Sequence, residues 1–217
     1  MSTRNYLVMS DDMTLMNKTD YRLNALAAGY ERCGVKGIGN INADVPGLQA
    51  IPAANKTGRV EAIKAFIAQG ITPKSIDQRE LAPLTDLVVA AAQDSWLTAA
   101  LAVVGTAYTC LNAVAAPQLL TGKLMVCYAV SVESVSPIMP TSRLTFRRNG
   151  AAGNIQAQFD MEPMGVRLEQ DAFFSEPVVI DPQTIFAIQA LCRVATGIGE
   201  RIHIHNFLFE SAGDVTA

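Results

Sequence analysis

Strict alternation of apolar and polar residues in Ile155-Gln-Ala-Gln-Phe-Asp-Met161 constrains this chain more than any other feature. A period of two puts every second side chain on the same face, so the segment is a β-strand with one buried and one wet face. Further strand-like runs surround it at Lys123 to Val132, Arg143 to Arg147, Pro177 to Ile180, Ile185 to Val194 and Arg201 to Glu210. Turn signals separate them at Asn149-Gly150, Gly153, Pro163, Asp181-Pro182 and Gly197-Ile-Gly199. Short strands at this spacing predict an antiparallel sandwich or barrel, with Gly197 to Glu200 read as a hairpin turn.

The first half of the chain has a different character. Ser10-Asp11-Asp12 reads as the cap of a helix that runs through Leu15, Leu23 and Leu26 to Ala28 and is stopped by Gly29. Residues 34–58 carry Gly34, Gly37, Gly39, Pro46, Gly47, Pro52 and Gly58, which predicts an extended, docked arm. A second helix is expected from Arg59 to Gln69, with Val60, Ile63, Phe66 and Ile67 on its apolar stripe and Gly70 and Pro73 at its end. Ser95 to Gly122 contains no Asp, Glu, Lys, Arg or His. Its alanine, glycine and threonine suit close packing, so a buried helix or helix–strand segment is expected. The alternatives are strands, or a lipid-contacting helix over residues 95–122 with Trp96 as an interfacial anchor. Asn112 within the run and the lack of a flanking Lys/Arg cluster weigh against it. The expected class is α+β: N-terminal helices and an extended arm over residues 1–122, then an antiparallel β-sandwich over residues 123–217.

Of the 217 residues only 17 % are charged, against roughly a quarter in ordinary soluble domains. Such a deficit means a surface that is uncharged, buried against copies of the chain or in contact with lipid; a large interface is the commonest reason, because obligate interfaces resemble a domain core cut in half. The net charge of −3 leaves no electrostatic footprint for specific nucleic-acid binding. Arg143, Arg147 and Arg148 form a local basic cluster that reads as a solvated edge or interface rim. Cys33, Cys110, Cys127 and Cys192 are widely spaced with no CxxC, and read as buried small hydrophobes in a reducing compartment. The first residues lack a secretory apolar core, so synthesis and assembly in a cytoplasm are expected.

Groups able to do chemistry are few. The two histidines, His203 and His205, are two apart in a strand, so their imidazoles share a face. Two imidazoles supply half of a zinc or copper site, with Glu200, Asp160 or Glu210 as the nearest candidates to complete it. The plainer reading is an outer strand face that Phe207 and Phe209 continue, covered by a neighbouring subunit. Gly34-Val-Lys-Gly-Ile-Gly39 matches neither a P-loop nor GxGxxG, and no carboxylate pair has a spacing that forces two acids together. The sequence assigns no catalytic residue and no cofactor.

The run Phe173-Phe-Ser-Glu-Pro-Val-Val-Ile-Asp-Pro-Gln-Thr-Ile-Phe186, followed by Arg193-Val-Ala-Thr-Gly-Ile-Gly-Glu-Arg-Ile-His-Ile-His-Asn-Phe-Leu-Phe-Glu210, resembles virion structural proteins of bacteriophages. The likeness covers the C-terminal third and lies in its short strands, few charges and apolar faces. It implies a jelly-roll or β-sandwich coat, decoration or head-associated subunit, non-enzymatic, acting in the virion as a homo-oligomer with other virion proteins. Two rivals stand beside it: a membrane-associated structural protein using residues 95–122, and a metal- or carbohydrate-binding sandwich using His203 and His205.

Overall fold

The computed structural model describes residues 5–9, 15–88, 95–111, 114, 116–134, 136, 138–164 and 170–213. The expected cap Ser10-Asp11-Asp12 and Asn112 lie outside the described residues. Three layers stack on one another: helices, a five-stranded sheet and a four-stranded sheet.

The strands are β1 (Leu7–Met9), β2 (Ile76–Arg79), β3 (Ala107–Thr109), β4 (Leu124–Glu133), β5 (Thr141–Arg148), β6 (Asn154–Asp160), β7 (Gln170–Ile180), β8 (Phe186–Cys192) and β9 (Arg201–Ser211). One sheet has the order β1-β7-β4-β9-β2 and the other β3-β8-β5-β6, with every pairing antiparallel. The expected antiparallel sandwich is therefore present. β1, β2 and β3 all precede residue 123, so the N-terminal part of the chain completes both sheets.

Alternation in β6 holds over Ala157, Phe159 and Met161, which are buried, and fails at Ile155, which is exposed where the β5–β6 register shifts between Phe146 and Arg147. Phe159 stacks on Phe174 at 4.3 Å between ring centroids, and Phe146 meets both edge-on at 6.0 and 5.4 Å. These rings fill the space between the sheets with Val130, Ile188 and Leu208. β4 reads Leu124-Met-Val-Cys-Tyr-Ala-Val130 with no alternation, and the reason is burial on both faces. Met125, Cys127 and Val130 face the other sheet, whereas Leu124 and Val126 pack under the helices. Asn149 and Gly150 adopt φ of 64° and 81°, the positive values a tight β5–β6 turn demands.

Helix α1 spans Leu15–Lys36 and does not stop at Gly29. Gly29 instead lies against Phe209: a Cβ there would sit 2.2 Å from Phe209 Cε2. The glycine brings the helix close enough for Tyr30 to meet the Phe209 ring edge-on at 5.1 Å. The helix ends at Gly37, with φ 72° and an Ile38 N–H bond to the Cys33 carbonyl at 3.0 Å, a Schellman-type cap. Gly29→Ala is a test of this reading. Helix propensity alone predicts a gain of about 1 kcal/mol, whereas overpacking against a fully buried ring costs about 1–3 kcal/mol. We expect a net loss in urea unfolding, and a gain would contradict the close-approach role.

Residues 34–58 are not an extended arm. They fold back as α2 (Ile41–Asp44) and a single 3-10 turn at Leu48–Ala50. The glycines and prolines bound short turns, while the apolar residues between them, Ile38, Ile41, Val45 and Leu48, are buried with the inner face of α1. The Arg59 guanidinium closes this connection, donating to the Leu48 and Ile51 carbonyls and to Asn42 Oδ1 (3.2, 3.3 and 2.8 Å). Helix α3 begins earlier than expected, at Lys56–Ile67, because Asn55 Oδ1 caps it by accepting from the Gly58 N–H at 3.0 Å.

The described residues of 95–122 contain no helix, which corrects both helical expectations for that segment, and β3 lies within it. The chain follows the open edge of β8 instead. Cys110 N–H donates to the Ile188 carbonyl, Phe186 N–H to Pro117 and Cys192 N–H to Thr106 (2.8, 2.9 and 2.9 Å). A strand edge needs partners for its N–H and C=O groups, and that demand overrides alanine's helix propensity. β-Branched Thr98, Val103, Val104, Thr106 and Thr109 favour the same outcome. Trp96 is buried between the sheets, 2 % exposed. Among the described residues no helix is long and apolar enough to cross a membrane.

Gly197 to Glu200 is not a hairpin turn either. It carries the chain from β8 in one sheet to β9 in the other. Gly199 passes so close to Thr98 that a Cβ would lie 2.4 Å from its carbonyl oxygen.

Candidate functional site

The helices cover only part of the outer face of the five-stranded sheet. Where they end, the face carries His203 and His205 on β9, Ser131 on β4 and Asp171 on β7, while Ile202 and Ile204 point into the sandwich. His203 pairs in register with Ser131, and Ser131 with Asp171, so these residues form a row across three strands. A bulge between Cys127 and Ala129 interrupts both pairings of β4 beside them. It inserts Tyr128, whose ring stacks on Phe207 at 4.7 Å and lies 6.1 Å from His205. Bulges of this kind recur beside functional sites because they re-aim side chains. Phe207 and Phe209 do continue the histidine face, as the alternation predicts. They are covered by α1 of the same chain, not by a neighbouring subunit.

The third member of the cluster is Glu80, one residue beyond β2. Its Oε1 lies 2.7 Å from His203 Nε2, and one ligand atom from each of Glu80, His203 and His205 falls within 4.8 Å of the others. The hydrogen bond from His203 holds the Glu80 carboxyl below the usual carboxylate range. The His205 Nε2 lies 2.9 Å from Ser131 Oγ and 3.5 Å from Asp171 Oδ1. Burial, and then the neighbouring His203, lower the His205 pKa from its ordinary value. The rings meet edge-on at 4.6 Å.

None of the three acids expected nearest to the histidines joins them. Asp160 ends β6 in the other sheet, and Glu200 is buried beside Thr98. Glu210 belongs to a separate buried ion cluster. There Arg79 makes two bonds of 2.6 Å to Asp86 and one of 2.9 Å to Glu210, while Lys123 Nζ lies 2.7 Å from Asp86 and 3.2 Å from Glu210. Two cations face two carboxylates there, a closed electrostatic unit. Sequence reasoning missed Glu80 because Ile76-Asp-Gln-Arg79 is mostly polar and becomes a strand only by pairing with β9.

The remaining candidates have structural surroundings. Arg147 donates to Gln189 Oε1 and the Gly153 carbonyl, and Arg148 to Gln156 Oε1, on the second sheet and its turn. All four cysteines are free and buried, and burial pushes the Cys33 and Cys110 thiols up to about 12. A dimple lined by Thr109, Leu111, Val114, Pro117, Ala187 and Ile188 is too tight for a water molecule and carries no ionisable group.

The two ends of the sandwich differ from its faces. At one end three connections are laced together by the Ala100–Gly199 bridge, the Thr196 N–H bond to Leu101 and the Arg193 N–H bond to Pro140. From them Val103, Val104, Ile138 and Ile198 project, each more than half exposed. At the opposite end Val88, Ile155 and Ile185 are exposed around the Gln118–Ile185 bridge. Comparison with known proteins adds no relative to this description: no family model, no curated protein and no solved structure matches the chain.

Proposed function

We propose that this chain is a non-enzymatic structural subunit of a virion, a coat or decoration protein built on a jelly roll and acting by self-association. The observation that carries the reading is the strand order. If β2 to β9 are counted one to eight, one sheet runs 1-8-3-6 beside the extra strand β1, and the other 2-7-4-5. The pairs 1·8, 2·7, 3·6 and 4·5 are those made when one long hairpin is rolled into two sheets. That order supports a jelly roll, an architecture of viral capsid proteins and also of lectins and cupins.

A fold does not carry a function by itself, and the apolar ends favour assembly among these roles. Exposed valine and isoleucine at both ends of one sandwich suit end-to-end contact with a second copy. Such head-to-tail contacts close into rings where the rotation permits. The low charge content fits the same use, as do the phage-like features of the C-terminal third.

Light scattering on purified, detergent-free protein over a range of concentrations tests the proposal. The expected mass is a defined multiple of 23.2 kDa, and Val104→Asp with Ile198→Asp is expected to return the protein to monomer without unfolding it. A wild-type monomer at every concentration would overturn the reading.

A further inference from the structure

We propose that Glu80, His203 and His205 form a binding site for one divalent transition-metal ion of the zinc class. The site is independent of the assembly reading, and either proposal can fail without the other.

Two imidazoles and a carboxylate are the donor set that zinc and its neighbours prefer, and such three-ligand sites keep a position open for water or a further ligand. Metal–ligand bonds of about 2.1 Å place tetrahedral donors about 3.4 Å apart. The three donor atoms already lie within 4.8 Å of one another. Modest rotation of these partly exposed side chains closes the difference. Both histidines stand on one face of β9, a strand held between β4 and β2, so their spacing is set by backbone and not by loop conformation.

Charge supplies the second argument. Among the described residues, no Lys or Arg forms an ion pair with Glu80 or Asp171; each has only a histidine partner. Two carboxylates thus stand beside the imidazoles with no Lys or Arg paired to them, a setting that suits a divalent cation. The contrast with the Arg79–Lys123–Asp86–Glu210 cluster, where the charges balance, is direct. Ser131, hydrogen-bonded to His205 Nε2 at 2.9 Å, and Asp171, 3.5 Å from the same nitrogen, stand where outer partners of a histidine that ligates through Nδ1 belong. An exposed His203–Glu80 ion pair alone is worth little, and it explains neither the second histidine nor the second carboxylate.

The test is isothermal titration of Zn2+ into full-length, chelator-stripped protein at pH 7.5, with Co2+ absorption as a second readout. The expected result is saturation at one ion per chain and a Co2+ spectrum of low coordination number. His203→Ala and Glu80→Gln are each expected to weaken binding at least tenfold, and Asp171→Asn to weaken it less, through His205. Far-UV circular dichroism checks that each variant is folded; His203→Gln replaces His203→Ala if that variant is not. Failure to saturate below about 1 mM Zn2+, or unchanged affinity in a folded His203/His205 double variant, would overturn the proposal.

Discussion

Asp86→Asn is expected to destabilise the protein by about 3–5 kcal/mol, the cost of removing one partner from a buried ion pair. Asp86 is fully buried, accepts two bonds from Arg79 and one each from Lys123 Nζ and the Ala82 N–H, and joins the loop after β2 to the start of β4. Asparagine keeps the volume but removes the charge, so Lys123, itself 7 % exposed, loses its closest counter-ion. The penalty comes from the stranded cations and not from lost attraction alone, because buried pairs roughly break even against apolar residues. A double variant, Asp86→Leu with Lys123→Met, is therefore expected to recover part of the loss. Urea unfolding measures both, and a loss below about 1 kcal/mol for Asp86→Asn would contradict the account.

The same cluster gives the stability a pH dependence of defined sign. Burial pushes the Asp86 pKa up, but bonds from Arg79, Lys123 and the Ala82 N–H outweigh it, and the net shift is downward. Asp181 is likewise lowered, chiefly by the hydrogen bond from Arg32. A carboxylate whose folded pKa lies below its unfolded value stabilises the fold above the unfolded pKa, about 3.9. That contribution is lost as pH falls through the lower, folded value. Stability is thus expected to drop below about pH 4, and less steeply in Asp86→Asn.

Phe174→Ala is the second large effect, a loss of about 3–5 kcal/mol. Phe174 lies on β7 with its ring stacked on Phe159 and edge-on to Phe146, so it joins the sheets at their centre. Removing it takes away its own burial and leaves a cavity walled by two rings fixed on β5 and β6, which cannot collapse into it. Phe174→Leu, which fills part of the space, is expected to lose less than half as much. Equal losses for the two variants would mean that the aromatic contacts, and not the volume, hold the layers together.

How much of this was legible in the sequence depends on which residues carried a period. β5, β6, β8 and β9 were readable from apolar alternation and turn residues, although the second half of β9 is buried on both faces, between α1 and the other sheet. The Asn149-Gly150 turn was readable because few other residues adopt its backbone angles at low cost. β2 and β3 were not readable: Ile76-Asp-Gln-Arg79 is mostly polar, and Ala107-Tyr-Thr109 lies in a run that favours a helix locally. Gly29 was misread for a related reason. Within its helix a glycine looks like a stop, and only Phe209, far along the chain, makes it a packing necessity. The histidine pair was visible at a spacing of two, but its partner Glu80 was not, because nothing local links a carboxylate after β2 to the middle of β9.

The sequence by itself determined the antiparallel strands of residues 123–217, most of the turns between them and the shared face of His203 and His205. Each of these follows from side-chain period or backbone restriction over a few neighbouring residues. Tertiary structure alone decided which strands share a sheet, that residues 95–122 line the edge of β8, that the 34–58 segment folds under α1, and that Glu80 meets the histidines. Those outcomes rest on satisfying backbone hydrogen bonds and burying apolar faces between segments distant in sequence, which no local pattern encodes.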